Sequence, residues 1–176
     1  MEREIEQEIL NLLENNPEEL QHAKNTLKWL LVLKPDSDFI LQISALGHDI
    51  ERVVNSKDKK EYPSHEEFKR THCKRSAKII KEILIKNKIN EKDIERAERI
   101  IENHEFGGNE EADLLRDADS LSNFEWCDDM FGKFEINDLK LIAERMFNRM
   151  SPENRKFIQQ IEFKHNEIGD LIKGNI

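Results

Sequence analysis

Residues 39–52 read FILQISALGHDIER and join an apolar helix to the adjacent pair His48–Asp49. The apolar spacing predicts a helix from residue 39 to about residue 54. Neighbours on a helix point about 100° apart, so only a site that is wedged against this face can use both side chains. Two metal ions lying close together suit such a pair, with the carboxylate bridging them and the imidazole binding one.

Apolar residues recur at helical spacing along the rest of the chain, and no stretch alternates with period two for long enough to form a sheet. Polar residues that can cap helices stand before several of these segments. The candidate caps are Ser37 or Asp36, Ser64 with Glu67 at capping-box spacing, and Asn90; Asn137 and Ser151–Pro152 open two later helices. The sequence predicts an all-α fold of seven or eight helices, in one domain over residues 1–176.

The composition is typical of a soluble globular protein, with 37% charged and 37% apolar residues among 176. The net charge of −9 argues against non-specific nucleic acid binding, although it allows a small anionic substrate. No apolar run reaches the length of a membrane span, and the charged N-terminus does not resemble a signal peptide. Cys73 and Cys127 give no disulfide framework, so we expect a cytoplasmic protein. The sequence does not predict an oligomeric state.

Six side chains that can bind a metal occur in or beside the predicted helices. They are His22, His48, Asp49, His72, His104 and Asp119. Imidazole and carboxylate are ligands for Mn, Fe, Co and Zn. One ion that keeps open positions for a substrate needs fewer than six ligands. We therefore expect two divalent ions, bridged by Asp49.

Several assignments have rivals nearby in the sequence. His65 competes with His72, and Asp117 competes with Asp119. The two aspartates stand two residues apart on a helix and point to nearly opposite sides, so they cannot easily bind the same metal. We assign the metal to Asp119, and a supporting or exposed role to Asp117. Glu105 either orients a histidine ligand or ends its helix in solvent.

The order His…His-Asp…Asp resembles the signature of the HD superfamily, which contains all-α, metal-dependent phosphohydrolases. The resemblance covers roughly residues 20–125 and includes the Ala-Asp-x-Leu context at residues 118–121. Branches that bind two metals add two histidines, and His72 and His104 fill those places. Residues 104–108, HEFGG, are similar to a segment of the cyclic-dinucleotide phosphodiesterase branch. The Gly-Tyr-Pro triplet of that branch is missing, so its substrate is not carried over.

The resemblance implies hydrolysis of a phosphate monoester or diester by a metal-activated hydroxide, on a nucleotide or related small metabolite. Asp49 is expected to bridge the metals. Arg52 lies one turn after His48 and is expected to contact phosphate, unless it forms an ordinary ion pair with Glu51 or a nearby acid. One alternative is a di-iron oxygenase, similar to inositol oxygenase, and another is a ligand-binding protein with an inactive site. The loop lysines Lys57, Lys59 and Lys60 either attract an anion or are simply solvated.

Overall fold

The computed structural model describes residues 1–54 and 62–174, which form a helical bundle. Its elements are α1 (Glu2–Leu13), α2 (Pro17–Leu33), α3 (Phe39–Gly47), α4 (Glu51–Val54), α5 (His65–Lys86), α6 (Glu91–Asn103), α7 (Glu110–Asp129), α8 (Ile136–Arg149), a 3₁₀ helix (Pro152–Gln160) and α9 (Asn166–Lys173). These residues contain no strand, so the all-α prediction is confirmed. None of the described helices is both long and apolar enough to cross a bilayer. The loop lysines at 57, 59 and 60 lie outside the described residues.

Two of the predicted helix caps are confirmed. The Ser64 hydroxyl accepts a hydrogen bond from the Glu67 amide at 3.1 Å, and Asn90 caps α6 in the same way. The predicted cap of α3 was wrong by one or two residues. Asp38, not Ser37 or Asp36, directly precedes the first helical residue, and its carboxylate accepts from the Leu41 amide at 3.1 Å.

The predicted single helix from 39 to about 54 is interrupted at the His48–Asp49 pair. α3 ends at Gly47, a turn follows over residues 48–50, and α4 then begins. The His48 ring causes part of this break, because its Nδ1 donates to the Ala45 carbonyl at 2.8 Å. That carbonyl is the acceptor that the Asp49 amide would use in a continuing helix. The pair therefore lies in a turn between two helices.

Two apolar clusters form the core of the bundle. One contains Ile5, Ile43 and Ile80 and packs α1, α3, α5 and α6 together. The other contains Leu121 and Phe124 and packs α7, α8 and α9 with part of α2. Because α2, α3 and α6 contribute residues to both clusters, these three helices join the two parts of the core.

Gly47 allows α3 to approach α5 closely. A Cβ atom at this position would clash with the side chain of Ile80, which is fully buried and has little room to move. His48 follows Gly47 directly, and α5 also carries His72 two turns before Ile80. This close approach therefore brings His48 and His72 towards the same place.

Candidate metal centre

The structure brings all six predicted ligands together in the interior of the bundle. The Asp49 carboxylate lies among the others. Its Oδ1 is 3.3 Å from His72 Nε2 and 3.5 Å from His104 Nε2. Its Oδ2 is 3.8 Å from His48 Nε2 and 4.0 Å from His22 Nε2. One carboxylate thus faces two pairs of imidazoles, one pair with each oxygen.

The cluster divides into two halves that share Asp49. We call His22, His48 and Asp119 the α7 half, and His72, His104 and the Oδ1 atom of Asp49 the α5 half. In the α7 half, His22 Nε2 is 3.1 Å from Asp119 Oδ1 and 3.3 Å from His48 Nε2. The His48 Nε2 atom is also 3.7 Å from Asp119 Oδ1.

Hydrogen bonds from outside the cluster orient three of the four imidazoles. Nδ1 of His48 donates to the Ala45 carbonyl, and Nδ1 of His104 donates to the Ile101 carbonyl at 2.7 Å. Nδ1 of His22 lies 2.9 Å from the Ser122 hydroxyl, which itself donates to the His22 carbonyl. In a neutral ring that carries its proton on Nδ1, the Nε2 lone pair is free to bind a metal.

Several buried atoms in the α5 half have no hydrogen-bond partner among the described residues. They are Asp49 Oδ1, both ring nitrogens of His72, and His104 Nε2. A buried polar atom without a partner costs roughly 1–3 kcal/mol, and such atoms are rare in folded proteins. Metal coordination would satisfy the Oδ1 and Nε2 atoms, so the cluster fits a metal and could hold one. The Cys73 thiol is also buried, and it lies within 4.8 Å of donor atoms of His72 and His104.

Burial and charge act in opposite directions on the two carboxylates. Burial raises the pKa of Asp49, but the nearby Arg52 guanidinium and the His48 ring outweigh it and hold that pKa well below its usual range. Burial also opposes ionisation of Asp119, and Arg149 reverses the effect in the same way. Both carboxylates are therefore held in the charged form that a metal requires.

Individual histidines of the cluster differ in protonation, and each half contains one whose pKa is raised. In the α5 half, burial lowers the pKa of His104, but the neighbouring Cys73 and Asp49 outweigh it and hold that pKa well above its usual range. Burial lowers the pKa of His72 to about 4, which keeps this ring neutral near physiological pH. For His22, burial lowers the pKa, but the hydrogen bond to Asp119 outweighs it and raises the pKa above its ordinary value. In the metal-free protein, proton binding is therefore favoured at His22 and opposed at His72.

Arg52 lies beside the cluster, as predicted, and it pairs with nearby acids, although Glu51 is not one of them. Its Nη2 is 2.8 Å from Asp49 Oδ2, and its Nη1 is 3.7 Å from Glu19. Glu51 instead pairs with Arg75 at 3.1 Å. Arg52 is thus attached to the central carboxylate of the cluster.

Arg149, near the end of α8, was missed by the sequence analysis. It donates to Asp119 Oδ2, to Glu105 at 2.8 Å, and to the Ser120 hydroxyl at 2.8 Å. Glu105 also accepts from Lys69 at 2.7 Å. Neither predicted role of Glu105 is therefore correct, because it holds Arg149 and Lys69 and is not exposed to solvent. No local pattern around Arg149 indicates this contact, since thirty residues separate it from Asp119.

The rival residues take other places. His65 lines the cavity above the cluster and is not part of it. Asp117 is fully buried and accepts from the Ser151 amide at 2.9 Å and from the Asn154 side chain at 2.7 Å. Asp117 therefore fastens the 3₁₀ helix to α7, and an exposed role for this residue was wrong.

A cavity of about 490 Å³ opens onto the cluster at His22 and Asp119. Cationic, acidic and apolar side chains share its wall. They are Arg52, Lys69, Arg145 and Arg149; Glu18, Glu19 and Glu105; and Phe68, Trp126, Ile142 and Met146. With Asp119, the carboxylates of the lining equal the cations in number, and Arg52, Lys69 and Arg149 are each paired with a carboxylate, so without an added ion the wall carries little net charge.

Comparison with known proteins gives one finding. The model of a family described as a domain of unknown function, DUF4202, matches residues 4–172. No curated protein and no solved structure matches the chain.

Proposed function

The chain belongs to the DUF4202 family, and we propose that it is a metal-dependent phosphohydrolase acting on a small phosphorylated metabolite such as a nucleotide. The main support is the position of Asp49. Its two oxygens face two sets of imidazoles, and its Oδ2 also accepts from Arg52, which lines the cavity above. A carboxylate that is shared between two sets of metal ligands, beside a cation, suits chemistry at a phosphate group.

The ligand set supports two divalent ions, with Mn, Fe, Co and Zn as candidates. The α7 half and Asp49 Oδ2 would hold one ion, and the α5 half would hold the other. When bound, such ions supply a water nucleophile near neutral pH and neutralise the charge that develops on phosphate. The resemblance to the HD superfamily points to the same chemistry.

The arginines of the chain would bind the phosphate. Arg52 and Arg149 each pair with a carboxylate of the cluster, Arg52 with Asp49 and Arg149 with Asp119. When those carboxylates bind metal, their charge is compensated by the ions, and each guanidinium can turn its remaining donors to a phosphate oxygen. Charge-assisted hydrogen bonds of this kind stabilise an anion strongly at a site that is partly screened from water.

The cavity limits the size of the substrate. Its volume of about 490 Å³ lies within the range that small-molecule sites occupy, which is roughly 300–1,000 Å³. The negative net charge disfavours a long nucleic acid, which needs an extended cationic surface. A small phosphate ester is therefore the substrate that suits this cavity.

Elemental analysis of the purified protein, followed by assays of phosphate release with the metal found, tests the function. We expect release from phosphate esters, including anaerobically with manganese. Iron together with turnover that requires dioxygen would instead establish the oxygenase alternative. Ligand affinity without turnover, for every metal tried, would establish a binding protein.

Substitution of Arg52 tests the phosphate contact separately. We expect Arg52→Ala to slow phosphate release by about 100-fold, which is typical of losing one stabilising donor, while the metal content stays unchanged. Arg70→Ala is the matched control, because Arg70 is exposed and pairs only one turn away with Glu66. If the rate of phosphate release were unchanged in Arg52→Ala, Arg52 would have only a structural role, through its ion pair with Asp49.

A further inference from the structure

α7 and α8 run antiparallel along one side of the cavity, and two contacts fix their register. Near the connecting loop, the Cys127 thiol meets the Leu139 carbonyl at 3.9 Å. At the other end, Arg149 bonds to Asp119 and Ser120. Residues that lie between these contacts therefore face each other in order along the two helices.

One face of each helix lines the cavity. On α7, Asp119, Asn123 and Trp126 follow one another at the spacing i, i+4, i+7, and all three line it. On α8, Arg149, Met146 and Ile142 follow at i, i−3, i−7, and these also line it. The register pairs them in three levels: Asp119 with Arg149, Asn123 with Met146, and Trp126 with Ile142. At 1.5 Å per residue, the first and last levels are about 10 Å apart.

The chemistry of the wall changes along these levels. The first level carries a carboxylate of the metal cluster and a guanidinium. At the second level, the amide of Asn123 donates to Asp119, and Arg145 lies beside Met146. The third level is apolar, because the half-buried side chains of Trp126 and Ile142 form it. The Phe134 ring packs against Trp126 with the centroids 5.6 Å apart, at an interplanar angle of 60°, which limits the freedom of the indole.

We propose that Trp126, Ile142 and Met146 form a subsite for a flat ring of the substrate, at the opposite end of the α7–α8 wall from the metal cluster. The favoured substrates are phosphate esters in which a short polar linker joins the phosphate to a planar ring that can stack on Trp126. The cavity is continuous from the cluster to Trp126, so one small molecule can occupy both ends. This inference rests on the proposed function, because the phosphate is assigned to the cluster end.

Two matched ligands test the subsite by equilibrium binding. Adenosine 5′-monophosphate and ribose 5-phosphate share the phosphate and the sugar, and only the first has a ring base. Their phosphonate analogues, with a methylene group in place of the bridging oxygen, resist hydrolysis and can be titrated into the metal-loaded protein by calorimetry. We expect the base-bearing compound to bind about 10-fold more tightly, as stacking of a base on an aromatic side chain provides.

Substitutions along the α7–α8 wall test which residues cause the tighter binding of the base-bearing compound. In Trp126→Ala the two affinities should become equal within about twofold, through weaker binding of the base-bearing compound alone. Trp126→Phe should restore most of the preference, which a general folding defect would not allow. Ile142→Ala should lower the preference, and Leu141→Ala should not, because Leu141 is exposed on the outer side of α8.

The outcomes separate the inference from the function. Equal affinity of the two compounds for the wild-type protein, or a preference that persists in Trp126→Ala, overturns the subsite and leaves the phosphohydrolase proposal standing. If neither phosphonate binds to the metal-loaded protein and no phosphate ester is hydrolysed, the proposed function fails, and the subsite fails with it.

Discussion

The two halves of the polar cluster are buried alike, but they differ in how completely the protein satisfies them. In the α7 half, His22 is bonded to Ser122 and Asp119, and Asp119 also accepts from Asn123 and Arg149. In the α5 half, four buried atoms have no hydrogen-bond partner among the described residues. The flat side of the His72 ring is instead stacked on Phe68, with the centroids 5.6 Å apart.

This difference indicates which half depends more on metal. α7 supplies Ser122 and Asn123 within one turn of Asp119, so the α7 half is stabilised by its own helix and by α8. In the α5 half, three of the four unpartnered atoms, Asp49 Oδ1 and the Nε2 atoms of His72 and His104, could be satisfied by one added ion. We infer that metal binding would contribute more stabilisation at the α5 half, since its unpartnered atoms would exchange only the contacts between Asp49 Oδ1 and the His72 and His104 rings for coordination.

Removing Asp49 should have the largest effect, because its two oxygens face imidazoles of both halves. We expect Asp49→Ala to lose bound metal and to slow phosphate release by at least about 1,000-fold, while the helical circular dichroism spectrum is kept. Metal analysis and assays of phosphate release provide the measurements. Asp36→Ala is the control, because Asp36 is an exposed loop residue. Full metal content in Asp49→Ala would refute the shared position of this carboxylate.

Metal loading should stabilise the fold by an amount that can be calculated. At a free metal concentration 100 times the dissociation constant, one site adds about 2.7 kcal/mol to the free energy of unfolding. For a chain of this size that raises Tm by roughly 5–10 °C. Thermal denaturation of chelator-treated protein, with and without added ion, measures the shift. The same titration of Asp49→Ala should give no shift, and an equal shift there would place the ion elsewhere.

Leucine substitutions in metal-free protein should separate the two halves. We expect His22→Leu to lower the free energy of unfolding by about 1–3 kcal/mol, because Asp119 and Ser122 each lose a buried partner. His72→Leu should be nearly neutral, because it replaces unpartnered nitrogens by apolar atoms of similar volume. Urea denaturation in the presence of chelator measures both. Equal losses would show that the two halves are equally satisfied without metal.

The smallest expected effect is a difference in pH dependence. The folded pKa of His72, about 4, lies below its ordinary value of 6.5, so its contribution to stability is present above pH 6.5 and is lost as the pH falls towards 4. Between pH 6.5 and 5.5 the metal-free protein should lose about 1 kcal/mol through this group. Urea denaturation at both pH values should show a smaller loss in His72→Leu than in wild type.

His22 should act in the opposite direction. Its folded pKa is raised, so its contribution is fully present below pH 6.5 and is lost as the pH rises through the folded value. Removing it with His22→Leu should therefore make the acid loss of stability steeper. His65→Leu is the control for both variants, since His65 lies outside the cluster. If His22→Leu and His72→Leu changed the pH dependence of the free energy of unfolding in the same direction, the expected difference between these two histidines would be refuted.

The sequence was sufficient to predict the fold class and to select the six residues that the structure brings together, because each is a metal-binding type in or next to an amphipathic helix. It did not predict the turn at residues 48–50, which depends on the bond from the His48 ring to the Ala45 carbonyl. It also predicted a helix start at Asn137, although α8 begins at Ile136, and it missed α9 altogether. The start of α8 has no side-chain cap from which it could be recognised.

The partners of the ligands were the least accessible from the sequence. Ser122 meets His22 across 100 residues of chain, and Arg149 meets Asp119 across 30. Such contacts follow from how the helices pack, and helix periodicity carries no information about them. A residue that can bind metal is recognised from its type and its place in a helix. The groups that orient it are recognised only when the packing of the helices is known.

Because Gly47 has no side chain, α3 can approach α5 closely, and this approach helps to set the positions of the ligands in the cluster. Metal–ligand bonds allow errors of only about 0.2 Å, and a methyl group at residue 47 would meet the buried Ile80 side chain so closely that this side chain or α5 itself must shift. A Gly47→Ala protein would thus fold with its six donors intact in kind and misplaced in space. We therefore expect Gly47→Ala to weaken metal binding at the cluster, although residue 47 itself offers no donor atom.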